Sequence, residues 1–358
     1  MNARIVAILV VLLAVLGGAA LLTQREDSAR RPQNAAALGQ LLLKDLKAAD
    51  IARIRIVEPK ATLTLERKED GWVIAERGGF PADFTKVREF VVKAVSLKIA
   101  QSEPVGEKDR SRLNLDASAT QLEFAGADGK PLSKLLIGKK LFRGSEPENP
   151  EKALGDGRFV MLPGDDKSVY MVPDPLLQAT AKSAEWIDKR AFQIEKVKSL
   201  EVRYPGGDGW RLERAAENAS WKLANQRPGE KLDSSKANAA TYSLSLLDLA
   251  DVAPKDASPE TTGLDKPIRL HAATLDGLSY RVRIGKLAGD SYYVSFEQSG
   301  TLAKAAKPDD AERIKKIEER LPKDRALAQH VLLVPKSRLE DTLKKRAELI
   351  ETRQAGKK

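Results

Sequence analysis

The sequence predicts an α+β protein: an N-terminal transmembrane helix, then two tandem repeats of an antiparallel-sheet domain with one main helix and a closing helix each. Three observations predict it. An apolar run near the start is unbroken from Ile5 to Leu22. A set of landmarks then recurs at an offset of roughly 150 residues, the scale of one domain. In each copy, short alternating strands are interrupted by a single stretch of helical periodicity.

The apolar run opens after Arg4 and stops at the polar cluster Thr23 to Asp27. At about 1.5 Å per residue it spans roughly 27 Å, close to one hydrocarbon core. Ile5, Leu9, Leu12, Leu16 and Leu22 mark this anchor. Gly18, Ala19 and Ala20 offer a small-residue processing site, so a cleaved signal peptide is the competing expectation. The run outlasts that site, which favours retention. Arg25, Arg30 and Arg31 come after the run, so positive charge alone does not orient it; its placement ahead of a long polar chain predicts export of that chain. Residues 1–24 are then the anchor, and 25–49 a tether with a short helix.

The repeat sets the remaining boundaries, 50–190 and 191–358. Trp72 matches Trp221, Asp128-Gly129 matches Asp276-Gly277, and Ile137-Gly138-Lys139 matches Ile284-Gly285-Lys286. The half-buried strand Ile51 to Ile56 matches Val197 to Val202. In the first copy Asp83 is an expected N-cap, with Phe84, Val87, Val91 and Ala94 on one face; in the second, Asp233 precedes Ala237, Ala240, Leu244 and Leu247. A hairpin comes next in both, each closing at Asp-Gly as a two-residue turn. A closing helix is expected from Pro173 and again after Pro335, the latter with Leu339, Leu343, Ala347 and Ile350 on one face. The second copy carries a charged insertion, 304–325, whose helix from Asp309-Asp310 should stop at Pro322.

Composition narrows the chemistry. With no cysteine, the chain has no disulfide, thiol nucleophile, Cys-based zinc site or lipoprotein attachment. Net charge is +10, yet Lys and Arg interleave with Asp and Glu, and aromatics are 5%, so no nucleic-acid groove is expected. His271 and His330 lack ligand-spaced neighbours, and Asp165-Asp166 and Asp309-Asp310 sit in turn-like context. The glycine pairs lack a phosphate loop's helix and lysine, and no serine sits in a nucleophile elbow. Neither cofactor, metal nor catalytic residue is read from the sequence, and a non-enzymatic chain is expected.

Contact residues are the remaining candidates. Trp72 and Trp221 recur in both copies and are expected in the core, whereas Trp186 and Trp210 have no mates and are candidates for exposed contact. On the insertion, Ile314, Ile317 and Leu321 form a thin apolar stripe that either docks on its own domain or meets a partner.

Several of these features carry a family resemblance. The opening Lys47-Ala-Ala-Asp50-Ile-Ala-Arg-Ile54, Trp72, Ile137-Gly138-Lys139, Tyr292-Tyr293-Val294 and the segment Trp186 to Phe192 leading into Val197 to Val202 resemble bacterial domain-of-unknown-function family 4340. The resemblance implies a single-pass membrane protein with repeated domains; the anchor is expected to touch lipid of the inner membrane and to place the bulk of the chain on the periplasmic side. The resemblance also implies an ABC-type transporter context, with permease and auxiliary subunits resembling gliding-motility components as partners, and it defines no catalytic residues. The expected function is an accessory or scaffold subunit acting by protein-protein contact through strand edges or the insertion. The alternative is a ligand- or polymer-binding module using a cleft between the repeats.

Overall fold

The computed structural model describes residues 37–142, 144–145, 147–150, 152–189, 193–303 and 308–351. Apolar residues alternate with polar ones along most of its segments, and these assemble into two antiparallel sheets. The first contains β1 (Arg53–Glu58), β2 (Ala61–Lys68), β3 (Gly71–Ile74), β4 (Phe80–Pro81), β5 (Gln101–Pro104), β6 (Thr120–Ala125), β7 (Pro131–Leu141), β8 (Gly157–Met161) and β9 (Ser168–Val172). The second contains β10 (Val197–Arg203), β11 (Gly209–Glu213), β12 (Lys222–Leu223), β13 (Asp251–Val252), β14 (Ile268–Thr274), β15 (Leu278–Ala288), β16 (Ser291–Gly300) and β17 (Leu332–Pro335).

Strand order is β4-β3-β2-β1-β6-β7-β8-β9-β5 in the first sheet and β12-β11-β10-β14-β15-β16-β17-β13 in the second. With β10 as counterpart of β1, β11 of β2, β12 of β3, β13 of β5 and β14 to β17 of β6 to β9, the two orders coincide. Only β4 is extra.

Helix is sparse. It comprises α1 (Phe84–Val95), α2 (Glu107–Arg112), α3 (Ser234–Tyr242), α4 (Pro259–Thr262), α5 (Pro308–Leu327) and α6 (Lys336–Leu339). None of these is long and apolar enough to cross a membrane. The fold class is therefore corrected from an anchored α+β chain to a mostly antiparallel-sheet one, and the single-pass inner-membrane localisation falls with it. The run holding Ile5, Leu9, Leu12, Leu16 and Leu22 lies outside the described residues.

The helix caps agree closely with the sequence. Asp83 Oδ1 accepts from the N–H of Thr85 (2.9 Å) and Lys86 (3.3 Å), and Asp233 Oδ1 from Ser235 (3.0 Å) and Lys236 (3.2 Å). Each satisfies amides that the first turn leaves free. Val87, Val91 and Ala94 are buried, but Phe84 is 59% exposed, and Phe90 takes its place in the core. Stacking of Phe90 on Phe124 fixes that face.

The closing helices are the larger departure. No helix starts at Pro173, because Pro175 disfavours the helical conformation at Asp174 and Leu176 adopts a left-handed φ of 51°. After Pro335 only the single turn α6 forms, with a 3-10 turn beyond it at Arg346–Leu349. Leu339 and Leu349 are buried all the same. Nor are the hairpin turns two residues long: Gly126 N–H reaches Lys130 O (3.0 Å), and Gly277 N–H reaches Thr274 O (3.3 Å). Gly277 is obligatory there, since its φ is +87° and a Cβ would lie 2.3 Å from the Thr301 carbonyl oxygen.

The chain packs as two compact units. One holds the described residues through Thr64 together with Arg88–Ala181; the other holds Leu65–Val87 and the chain from Lys182 onward. In the second unit Asp83 N–H donates to Trp186 O (2.7 Å), Lys86 Nζ to Ile187 O (2.9 Å), and Arg77 pairs with Asp251 (3.3 Å). Asp251 also accepts from Ser183 Oγ at 2.7 Å.

Candidate interaction face

The sequence-derived contact residues are mostly committed internally. Trp186 is 1% exposed and Trp210 3%, so neither ring offers a surface to a partner. Trp210 Nε1 donates to Lys344 O (2.7 Å), which anchors the C-terminal segment over β11. Trp72 and Trp221 are buried as expected.

The insertion forms α5, and it continues through Pro322 to Leu327. Ile317 is 8% exposed, while Ile314 and Leu321 are half-buried. Arg313 holds the helix to the second hairpin through Asp276 (2.5 Å) and pairs with Asp310 (3.3 Å). Further along, Arg320 pairs with Asp324 at 3.2 Å. Burial pushes the Asp324 carboxyl above its ordinary value, partly offset by Arg320. The stripe is thus spent largely on its own unit.

Strand edges give little to add to. The terminal strands β4, β12 and β13 are two residues each, and β5 ends in Pro104. Short, proline-bearing edges disfavour strand addition.

The titratable groups singled out from sequence lie apart. His330 is half-buried against the edge of Phe80, ring centroids 5.1 Å apart, and burial lowers its pKa against a hydrogen bond to the Arg77 backbone. His271 is exposed, with Nε2 2.8 Å from Ser279 Oγ. Asp165 accepts from Tyr170 Oη at 2.7 Å. Among the described residues no group of three His, Cys, Asp or Glu side chains is placed to hold a metal ion.

A cavity of ≈ 630 Å³ in the second unit is lined by Lys196, Arg214, Glu217, Tyr242, Asp276 and Arg313 among others. Its cations already have partners. Lys196 pairs with Glu217 (2.9 Å), and Arg214 donates to Val197 O (2.7 Å) and Glu217 O (2.6 Å) while lying 4.6 Å from the Trp221 ring centroid.

A different balance holds on the open face of the second sheet. Period-two alternation buries Leu200, Val202, Leu270, Ala272, Tyr280, Val282 and Ile284, so the intervening residues face outward. The strand register places Arg203 opposite Arg269, and Arg269 opposite Arg283. Three guanidinium side chains therefore stand in one row across β10, β14 and β15. Next to it runs a mixed row, Arg211, Glu201, His271, Arg281 and Glu297. The two rows bound a groove of ≈ 360 Å³.

Pairing within this face is incomplete. Arg203 meets Glu201 at 2.6 Å, and Glu297 is shared by Arg281 (3.9 Å) and Arg283 (3.6 Å). Among the described residues the side chain of Arg269, the middle of the row, has no hydrogen bond or ion pair. Like charges directly opposite are unfavourable in a sheet. The first sheet has no such row: the matching positions are Val57, Gln121 and Leu136, and beside them Glu123 is neutralised by Lys134 at 3.0 Å.

Sequence reasoning missed this row. Its members are far apart in the chain, and only the register joins them. The available signal was arginine on the polar phase of three strands whose counterparts carry mainly neutral residues.

Fold and face together define a duplicated antiparallel-sheet protein whose second copy carries a cationic open face. The family model for a domain of unknown function, DUF4340, matches residues 72–267, over half of the chain, and the chain belongs to that family. No curated protein and no solved structure matches it.

Proposed function

We propose that the protein is a non-enzymatic accessory or scaffold subunit that works by protein-protein contact, with an ABC-type transport complex as the assembly it serves. The observation carrying the contact reading is the Arg203-Arg269-Arg283 row, unpaired at its centre and bordered by a mixed-charge row. A folded chain keeps repelling charges side by side at a cost in stability, and a partner's carboxylates would offset it. The transport context is what the family resemblance adds.

The test is native affinity purification of the wild-type chain against Arg269→Glu. The expected outcome is that ATPase and permease subunits accompany the wild type and are lost with the variant, while the variant unfolds at a temperature no lower than that of the wild type. Equal recovery from both would remove the face from the function.

A further inference from the structure

We infer that the arginine row receives an acidic α-helix of a partner protein, laid across the strands with carboxylates at positions i, i+4 and i+7; the inference rests on the contact reading above. The geometry comes from spacing. Adjacent strands lie about 4.8 Å apart, so the row from Arg203 through Arg269 to Arg283 covers roughly 10 Å. A helix rises about 1.5 Å per residue, so residues i and i+7 are about 10.5 Å apart on one face, with i+4 between them. Same-face residues of an extended segment are about 6.6 Å apart, and three of them would overrun the row at roughly 13 Å.

Charge selects the occupant further. Arg203 is 70% exposed at its side chain and Arg283 49%, so both can turn toward a carboxylate in bidentate geometry. The neighbouring row presents Glu201 and Glu297 on the same surface. Phosphate polymers are negative throughout and would meet those carboxylates unfavourably, whereas a protein helix can set a Lys or Arg against them. At the end of the row Ser295, opposite Arg283, is buried and its hydroxyl has no hydrogen-bond partner among the described residues. Arg203 lies within the matched region, and Arg269 and Arg283 lie beyond its end at residue 267.

The experiment uses the full chain and three fluorescent probes. One is an alanine-based helical peptide with Glu at i, i+4 and i+7. Another has the same composition with its Glu residues spread over three faces, and the third is inorganic polyphosphate. Binding is tracked by anisotropy at low and high salt, for wild type, Arg269→Gln and Arg283→Gln, with circular dichroism checking that each variant is folded. The expected result is that the striped peptide binds about tenfold tighter than the spread one, and that each variant removes about tenfold of that affinity. Salt weakens all three.

Equal binding of the two peptides would overturn the helix while leaving the contact face standing. Tighter, Arg269-dependent binding of polyphosphate would replace the protein partner with a polyanion. If no probe binds and Arg269→Glu leaves the co-purified set unchanged, both readings fail.

Discussion

Glu230 shows how single side chains fasten the C-terminal segment. Its carboxylate meets Arg346 Nη2 at 2.7 Å and accepts from the N–H of Arg227 at 2.8 Å, and Arg346 also donates to Asn225 O at 2.8 Å. The Arg346 hydrogen bond and then the Arg227 amide hold the Glu230 pKa down to about 2, from an ordinary value near 4.5. A depressed carboxylate favours the folded state above its unfolded pKa, and that contribution drains away as pH falls. Chemical denaturation across the acid range should therefore show wild-type stability declining between about pH 4.5 and 2 more steeply than that of Glu230→Gln. Parallel slopes would mean that the pair contributes nothing specific. None of this was legible in the sequence, where Glu230 and Arg346 are separate surface charges far apart in the chain.

At the level of elements, the strands and the caps were legible and the closing helices were not. Alternation and a capping aspartate act locally, so Asp83, Asp233 and the runs beginning at Ile51 and Val197 announce themselves. Helical spacing in Leu339, Leu343, Ala347 and Ile350 was misleading. In the fold that segment is tied down by Trp210 Nε1 and Tyr204 Oη donating to the Lys344 carbonyl, at 2.7 and 3.0 Å, which leaves only single turns on either side. The insertion was legible as a helix but not in extent: Pro322 stays within α5, whose flanking side chains Ile317 and Leu327 are both buried. The arginine row is likewise a property of three strands together. Replacing Arg269 with Gln, the residue the first sheet carries at that place, should relieve the repulsion. It is expected to stabilise the chain by about 0.5 kcal/mol. For a unit of this size that raises Tm by about 1–2 °C at low salt, and the gain should shrink as salt screens the row. Destabilisation at low salt would show that the guanidinium is packed for structure instead.

Across the whole molecule, a duplicated sheet has diverged on one open face while keeping its strand order. The duplication was legible because Trp72 and Trp221, and the glycines at 138 and 285, serve backbone and core requirements that recur in each copy. At Gly285, for example, a Cβ would lie 2.1 Å from the Thr262 carbonyl oxygen. The divergence was not legible, since it becomes visible only when Val57, Gln121 and Leu136 are set against Arg203, Arg269 and Arg283 through the two registers. Helical content and the strength of the strand edges were overestimated for the same reason: both depend on what the sheets leave room for. The most direct measurement is amide hydrogen exchange on the wild-type chain, free and with the subunits it co-purifies with. Added protection is expected over 197–203, 268–274 and 278–288, and none over their counterparts 53–58, 120–125 and 131–141. Protection confined to the first sheet or to α5, with the second sheet unchanged, would contradict the account.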